Sequence, residues 1–253
     1  MTQYVLVTGA SSGIGADIAR TLAAEGHNLI LCARREVRLQ DLAREITAGH
    51  RLQVEIVVAD LSSADGVAHL SDTISENGWG LNGLVNNAGI GGRGRFADLD
   101  RDAQLAAIDL NVRAPADLTH RLLPLLEQGA SPFIINVASL AAFQPGPNMA
   151  IYYATKAFVL SFSESLTEEL RGRISVSALC PGATESEFAD HADMHNSLLF
   201  KLGTMPSDKV ASAAVQHKRR AIVIPGLLNK LTVWLGKISP RLVLRRIAFK
   251  LNS

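Results

Sequence analysis

Two residues one helical turn apart could together perform acid–base chemistry. Tyr152 and Lys156 are separated by four positions in a segment with helical spacing, so their side chains share one face. A tyrosine with its ordinary pKa of about 10 is a poor base near neutrality, and a neighbouring ammonium favours the phenolate. We therefore expect Lys156 to lower the pKa of Tyr152, which would exchange a proton with a substrate oxygen. Tyr153 is rejected for this role, because its i+4 partner is the uncharged Ala157.

A glycine-rich turn near the N-terminus is typical of a phosphate-binding site. It reads Thr8-Gly9-Ala10-Ser11-Ser12-Gly13-Ile14-Gly15 and lies between an apolar strand candidate and a helical pattern. Gly9 permits a tight turn, Gly13 lets the backbone approach a pyrophosphate, and Gly15 allows close packing of helix on strand. The N-terminus of the helix offers free N–H groups to the phosphates. The spacing G-x3-G-x-G differs from the common dinucleotide fingerprint.

The elements that must position these residues alternate regularly along the chain of 253 residues. Continuously apolar strand candidates suit a parallel sheet that is covered on both faces. Repeated βα units predict a doubly wound, Rossmann-type α/β fold in one domain, residues 1–253. The predicted strands are 4–8, 28–33, 53–58, 82–86, 132–138, 174–180 and 220–224, and helical patterns include Ile14–Ala24, Val37–Ala48 and Ala154–Leu170.

The two cysteines end the second and sixth predicted strands. In the strand order 3-2-1-4-5-6, Cys32 and Cys180 would lie about 19 Å apart, whereas a disulfide needs Cα atoms within about 7 Å. We expect two buried, inert thiols.

Taken together, the motifs of this chain resemble those of the short-chain dehydrogenase/reductase family over residues 3–190. The resemblance implies about seven strands and an oxidoreductase that uses a nicotinamide dinucleotide to interconvert a carbonyl and an alcohol. The matching segments are the glycine turn, Asn86-Asn87-Ala88-Gly89, Asn111, Ser139, the Tyr152/Lys156 pair and Pro181-Gly182.

The resemblance also implies roles for individual residues. Tyr152 would be the acid/base, Ser139 would hydrogen-bond the substrate oxygen, and Lys156 would also hold the nicotinamide ribose. Asn111 would hold a water in a proton relay. The predicted cofactor contacts are Gly9, Ser11, Ser12, Gly13, Ile14, Gly15, Arg34, Arg35, Asp60, Leu61, Asn87, Ala88, Gly89, Tyr152, Lys156, Pro181, Gly182, Thr184 and Ser186, and no metal site is assigned.

The residues after the second strand favour NADP(H) over NAD. An NAD enzyme usually carries an acid there, whereas this chain has Ala33 followed by Arg34 and Arg35. Guanidinium groups suit a 2′-phosphate, and the Ser12 hydroxyl could assist. The alternative is that the two arginines only solvate the start of the next helix. A preference for NADPH favours carbonyl reduction over alcohol oxidation in the cell.

The substrate region departs from the family pattern. Ser186 stands where many members carry a threonine that contacts the nicotinamide, with Thr184 as the competing position. The chain lacks the acidic, glycine-rich ending of 3-oxoacyl-carrier-protein reductases, which weakens that interpretation. Residues 189–205 are expected to be a substrate lid. Met194, Leu198, Leu199 and Phe200 in it indicate an apolar substrate, unless they simply close an ordinary helix.

Charge divides the chain into two unequal parts. Residues 1–193 hold 14 Lys and Arg against 23 Asp and Glu, whereas residues 194–253 hold 11 against 1. The basic, apolar segment 227–251 could form amphipathic helices that pack on the domain or on a partner subunit. It could also dock on an anionic membrane through Trp234, Leu235 and Phe249. Nucleic-acid binding is disfavoured, since the chain as a whole has a net charge of only +1.

The sequence also leads to expectations about the cellular compartment and the oligomeric state. The first apolar run, Tyr4–Val7, is a strand rather than a signal peptide, and no apolar stretch is long enough to span a membrane. We expect a cytoplasmic protein, with peripheral membrane contact left open. The family resemblance implies a homodimer or homotetramer through helices around 101–128 and 150–171. A non-catalytic NADP-binding regulator or membrane-docked scaffold is the alternative function.

Overall fold

Seven parallel strands form the central sheet of the computed structural model, which describes residues 2–185, 187 and 203–252. Two further short strands, β7 and β8, pair with each other. The strands are β1 Gln3–Thr8, β2 Asn28–Ala33, β3 Val54–Val58, β4 Gly80–Asn86, β5 Phe133–Val137, β6 Ser175–Leu179, β7 Thr184–Glu185, β8 Met205–Pro206 and β9 Ile222–Val223. The sheet order is β3-β2-β1-β4-β5-β6-β9, which confirms the predicted doubly wound α/β fold.

Helices connect the strands and cover both faces of the sheet. A π-helical turn, Asp109–Arg113, and a 3₁₀ turn, Leu140–Phe143, add to the regular helices. The α-helices are α1 Gly13–Ala24, α2 Glu36–Gly49, α3 Ala64–Glu76, α4 Arg101–Ile108, α5 Ala114–Leu126, α6 Ala150–Glu169, α7 Ser207–Gln216, α8 Leu227–Ile238 and α9 Arg241–Leu251.

Alternation along the buried strands divides the core into two halves. Val5 and Val7 of β1 contribute to one apolar cluster, which α1, α2 and α7 cover. Tyr4 and Leu6 contribute to the other, which α3 and α5 cover. Because successive side chains of a strand point to opposite faces, apolar residues at every position require helices on both sides.

The cysteines lie as predicted. Cys32 is in β2 and Cys180 directly follows β6, four positions away in the sheet order, and both are free and buried. Burial raises the pKa of each thiol to about 12, so neither is a reactive thiolate near neutrality.

The region of the predicted lid is only partly described. Most of the predicted segment 189–205 lies outside the described residues, as does Ser186. Residues 203–205 are described, and Met205 belongs to β8, which pairs in parallel with β7. This two-strand pair brings the segments on either side of the predicted lid together.

Candidate active site

A cavity of about 470 Å³ opens at the carboxyl ends of the central strands. In an open parallel sheet this edge is the usual ligand site. Every predicted cofactor contact that the structure describes lines this cavity, together with Ser139. The glycine turn and the Tyr152/Lys156 pair, remote in sequence, therefore face one continuous space.

The glycine turn adopts a backbone that larger residues would resist. Gly9 has φ +63° and Gly13 has φ +54°, in the left-handed region that favours glycine. A Cβ at Gly15 would lie 2.3 Å from Asn87 Nδ2 and 2.4 Å from Gly9 O. The turn is thus packed tightly against the segment after β4, which leaves its other side free to approach a ligand.

Two polar side chains hold this turn against β4. The Thr8 hydroxyl donates to Val85 O and accepts the backbone N–H groups of Asn87, at 3.0 Å, and Ala88, at 3.1 Å. Asn87 Nδ2 donates to Thr8 O and Gly9 O. Sequence reasoning missed Thr8, although a polar residue that ends a fully apolar strand was a usable signal.

Tyr152, Ser139 and Lys156 converge at the inner end of the cavity. The first turn of α6 carries Tyr152, and the Lys156 ammonium lies 5.9 Å from the Tyr152 ring centroid. The Ser139 hydroxyl hydrogen-bonds the Tyr152 phenol. Lys156 Nζ donates to Val137 O at 2.7 Å, which fixes the ammonium at the end of β5.

The protonation of this pair differs from the expectation. Burial raises the pKa of Tyr152 to about 12, against the opposing effect of the Ser139 hydrogen bond. Burial also lowers the pKa of Lys156, to about 8. The expected lowering of the tyrosine pKa is therefore not seen in this site, because loss of hydration outweighs the Ser139 hydrogen bond and Lys156 is not among the groups that shift the pKa. Tyr152 is held as a neutral phenol, which is the form that donates a proton.

Asn111 is buried in the π-helical turn behind the cavity. Its Oδ1 accepts from Ile90 N at 3.0 Å, and its Nδ2 donates to Ile90 O and to Thr155 Oγ1. The side-chain amide therefore fixes the loop after β4 against α6. Its role in holding a relay water stays a prediction.

Arg35, the second arginine after β2, reaches across the glycine turn. Arg35 donates to both Ser11 Oγ, at 2.9 Å, and Ser12 Oγ, at 2.8 Å. Its Nη1 also forms an ion pair with Glu187 at 2.7 Å. The Arg35 guanidinium thus bridges the glycine turn and Glu187, an acid remote in sequence. Arg35 therefore does more than solvate the start of the next helix.

The opposite wall near β3 carries a carboxylate. Asp60 accepts hydrogen bonds from the backbone N–H and the hydroxyl of Ser62. Burial would raise the pKa of Asp60, but these hydrogen bonds outweigh it and the pKa is lowered. The charge of Arg34 acts in the same direction. Ser63 caps α3, so Asp60 is not needed for that purpose.

The C-terminal segment forms two helices that pack on the domain, which is one of the alternatives that the sequence left open, and these helices complete the cavity. Thr232, Val233 and Gly236 of α8 and Leu251 of α9 line it. Asn229 of α8 packs on Gly182, where a Cβ would lie 2.8 Å from the Asn229 amide oxygen.

Asn252 is 1% exposed and closes the end of α9 against the loop before α6. Its Nδ2 donates to Pro147 O at 3.0 Å, and the Tyr153 hydroxyl is 3.3 Å from its Oδ1.

Comparison with known proteins agrees with this geometry. The family model described as short chain dehydrogenase matches residues 3–196. A sulfoacetaldehyde reductase of Chromohalobacter salexigens is 38% identical over 191 residues, which are 74% of this chain and 75% of that protein. An uncharacterized oxidoreductase of Mycobacterium tuberculosis is 33% identical over 231 residues, 88% of each chain.

Two solved structures extend the similarity to almost the whole chain. A short-chain dehydrogenase from Sphingobium yanoikuyae in complex with NADPH is 32% identical, with a TM-score of 0.81 over 95% of this chain and 97% of that one. A bulky-bulky ketone specific alcohol dehydrogenase from Comamonas testosteroni is 30% identical, with a TM-score of 0.77 over 95% and 96%.

Proposed function

This chain belongs to the short-chain dehydrogenase family, and from that premise we propose that it reduces an apolar ketone or aldehyde to the alcohol with NADPH. It is an oxidoreductase that acts on carbonyl and alcohol groups. The observation that carries the proposal is the convergence of Tyr152, Ser139 and Lys156 on the cavity that the glycine turn also lines. A non-catalytic regulator or scaffold would leave that convergence without a use.

The residues of the cavity fit a nicotinamide dinucleotide phosphate. The cradle beside Gly13 and the N-terminus of α1 would take the pyrophosphate. Arg34, Arg35 and Ser12 would hold the 2′-phosphate, where charge-assisted bonds are strong. Lys156 would hold the nicotinamide ribose, and bound NADPH would supply the hydride to the carbonyl carbon.

Tyr152 supplies the proton for this reaction. Ser139 and Tyr152 would both donate to the carbonyl oxygen, and the Tyr152 proton would pass to that oxygen as its negative charge develops. The phenolate left behind is stabilised by Lys156, whose pKa of about 8 keeps it mostly charged near neutrality. Burial keeps Tyr152 protonated, which is the form that donates a proton to a carbonyl oxygen.

Apolar side chains dominate the lining of the cavity that Tyr152 faces. The cations among the described lining residues are Arg34, Arg35 and Lys156, and the first two lie at the end of β2, away from the catalytic group. A small anionic aldehyde therefore fits less well than a bulky apolar ketone. The apolar lining residues include Leu140, Phe143, Met149, Val233 and Leu251.

Replacement of Tyr152 tests the mechanism directly. We expect Tyr152→Phe to lower kcat by about 100-fold or more while NADPH affinity stays within a few-fold, since only the proton donor is removed. Turnover of a panel of aldehydes, ketosteroids and bulky diaryl ketones would be followed by NADPH absorbance, and NADPH binding by fluorescence titration. Tyr4→Phe is the matched control, because Tyr4 lies in β1 and its hydroxyl hydrogen-bonds Gln53 rather than a residue of the cavity. Unchanged turnover in Tyr152→Phe would contradict the proposal.

We also propose that the whole of residues 1–253 acts as one domain and that two or four copies associate. The faces of α4 and α6 carry exposed apolar side chains, namely Leu105, Ile108 and Phe158, and Phe158 stacks on Phe162 at 5.6 Å between centroids. Such surfaces on adjacent helices favour a two-fold helical interface.

A further inference from the structure

The outer face of α8 is apolar and turned away from the protein. Leu227 is 84% exposed and Trp234 is 58% exposed, and four further large apolar residues of this helix are also exposed. At about 100° per residue, all six fall within an arc of roughly 120°. The opposite side carries Asn229, Val233 and Gly236, which contact or line the cavity region. The other exposed apolar residues are Leu228, Leu231, Leu235 and Ile238.

Basic residues accompany this apolar arc. Lys230 and Lys237 lie next to one another on its flank by the same helical periodicity. Helix α9 adds Arg241, Arg245, Arg246 and Lys250. The sequence contains no acid from 209 to 253, so nothing within this segment neutralises the six cations. The apolar arc of α8 and the cations of α8 and α9 are called here the α8–α9 surface.

A shallow cleft beside α9 concentrates part of this charge. Arg245, Arg246 and Lys250 line it together with Leu242 and with Pro147 from the loop before α6. Three cations beside an apolar floor would accept an anionic group attached to an apolar chain. The cleft thus repeats the combination of apolar and basic character seen on α8.

We propose that the α8–α9 surface docks on the headgroup–acyl boundary of an anionic lipid bilayer. An amphipathic helix with a wide apolar arc, a tryptophan and flanking lysines lies in the plane of such a boundary, where its apolar side chains leave water and its cations meet lipid phosphates. None of the described helices is long and apolar enough to span a bilayer.

Charge complementarity selects lipid over a second copy of this chain. A two-fold contact through the α8–α9 surface would bring its cations against the same cations of the partner, with no acid in the segment to separate them. An anionic bilayer satisfies both properties at once. A nucleic-acid backbone would satisfy only the charge, because phosphates offer nothing to a six-residue apolar arc.

Vesicle flotation of the full chain tests the proposal. We expect it to float with vesicles of equimolar phosphatidylcholine and phosphatidylserine and to remain unbound with phosphatidylcholine alone. The double variant Lys230→Glu/Lys237→Glu should weaken binding by roughly tenfold or more, and Leu231→Ser/Trp234→Ser should weaken it similarly by removing apolar contact. Exposed side chains on other helices supply matched controls, Arg101→Glu for charge and Val37→Ser for apolar area, and should leave binding unchanged.

The emission of Trp234 gives a second measurement. Anionic vesicles should shift it to shorter wavelength, and Trp234→Phe should remove that shift while flotation persists. Circular dichroism and NADPH binding would show that each variant is folded. Failure of the full chain to float with anionic vesicles would overturn the proposal. Equal flotation of the α8 variants and the wild type would also overturn it. A halved mass of the α8 variants in solution would do so as well, because it would mean that a second copy of the chain covers this face.

Discussion

Tyr152, which is partly buried, and Lys156, which is buried, lie side by side at the inner end of the cavity, and loss of hydration shifts their pKa values in opposite directions. The phenol pKa is raised to about 12 and the ammonium pKa is lowered to about 8. Each shift disfavours the charged form, as expected when hydration is lost. Near neutrality the phenol is neutral and bears no such cost, whereas the charged Lys156 does, and a bound ribose would restore hydrogen bonds to its ammonium.

Removal of the Lys156 charge should stabilise the fold while abolishing turnover. The folded pKa of about 8 lies below the ordinary value of 10.5, so the unfolded chain binds more protons between these two pH values. Below pH 8 the wild type bears the full cost of the buried ammonium, and Lys156→Met should unfold with a free energy on the order of 2 kcal/mol higher.

The pH dependence of that gain supplies the check. Urea unfolding without NADPH should show the gain shrinking as the pH rises from 8 towards 10.5, where the wild-type lysine becomes neutral in both states. A pH-independent gain would point to packing instead. Lys209→Met, on α7, is a control in which an exposed lysine is removed.

The Arg35–Glu187 ion pair leads to a separate expectation about cofactor affinity. Glu187 is paired with the Arg35 guanidinium, which we assign to the 2′-phosphate. The hydrogen bond from Arg35 holds the pKa of Glu187 below its usual range. In Glu187→Gln the arginine would be released and a negative charge removed. NADPH affinity should rise by about two- to fivefold, in line with an exposed ion pair, whereas NADH affinity should change little.

Fluorescence titration with both cofactors would measure this selectivity. Glu185→Gln is a suitable control, because that exposed acid is two residues away and hydrogen-bonds Thr204 rather than Arg35. Weaker NADPH binding in Glu187→Gln would mean that the acid positions Arg35 instead of competing for it.

At the scale of elements, Asn252 holds the end of α9 to the catalytic region. Its backbone carbonyl accepts from Arg93 Nε at 2.9 Å, in addition to the contacts of its amide with Pro147 and Tyr153. Tyr153 is the neighbour of the catalytic tyrosine, and its ring fills the space beside Gly146, where a Cβ would lie 2.1 Å away. One buried amide thus joins the last helix to the wall of the substrate space.

Asn252→Ala should loosen that connection. The loss of buried hydrogen bonds should lower the free energy of unfolding by about 1–3 kcal/mol. The KM for an apolar ketone should rise several-fold while NADPH affinity is retained, because α9 lines the substrate end of the cavity. Steady-state kinetics and urea unfolding would measure both effects, with Ser239→Ala between α8 and α9 as the control. An unchanged KM would show that Asn252 serves stability alone.

The elements also show where prediction from one sequence succeeds. Strands such as β2, predicted at 28–33, were located correctly because each is a short apolar run bounded by polar residues. The β7–β8 pair has two residues in each strand and produces no periodic signal. Contacts between remote residues, such as Arg35 with Glu187 or Tyr153 with Asn252, depend on tertiary packing, which local spacing does not encode.

At the scale of the whole molecule, the two ends of the sequence contribute different electrostatics. Residues 1–193 have a net charge of −9 and form most of the central sheet, whereas residues 194–253 have a net charge of +10 and include both helices of the α8–α9 surface. The small total charge thus conceals a polarised molecule, which an anionic surface would orient as it approaches.

Assembly should be separable from docking. If copies associate through α4 and α6, Phe158→Glu should reduce the mass in solution from that of an oligomer to that of one chain, because it introduces charge into the apolar face. Light scattering would measure the mass, with Val37→Glu as the control on α2. Vesicle flotation of the variant should persist, since α8 and α9 are unchanged. A wild type that is already monomeric would refute the proposed interface.

Helix α8 has one side in the cavity and the other on the outer surface, and this has a thermodynamic consequence. If lipid favours one position of the helix over the cavity, a ligand that favours the same position must tighten lipid binding by the same factor that lipid tightens ligand binding. The two equilibria are then reciprocal, although their ligands never touch. Occupancy of the bilayer by this enzyme would then follow the supply of its substrate, and the enzyme with ketone bound would stay longer at the membrane.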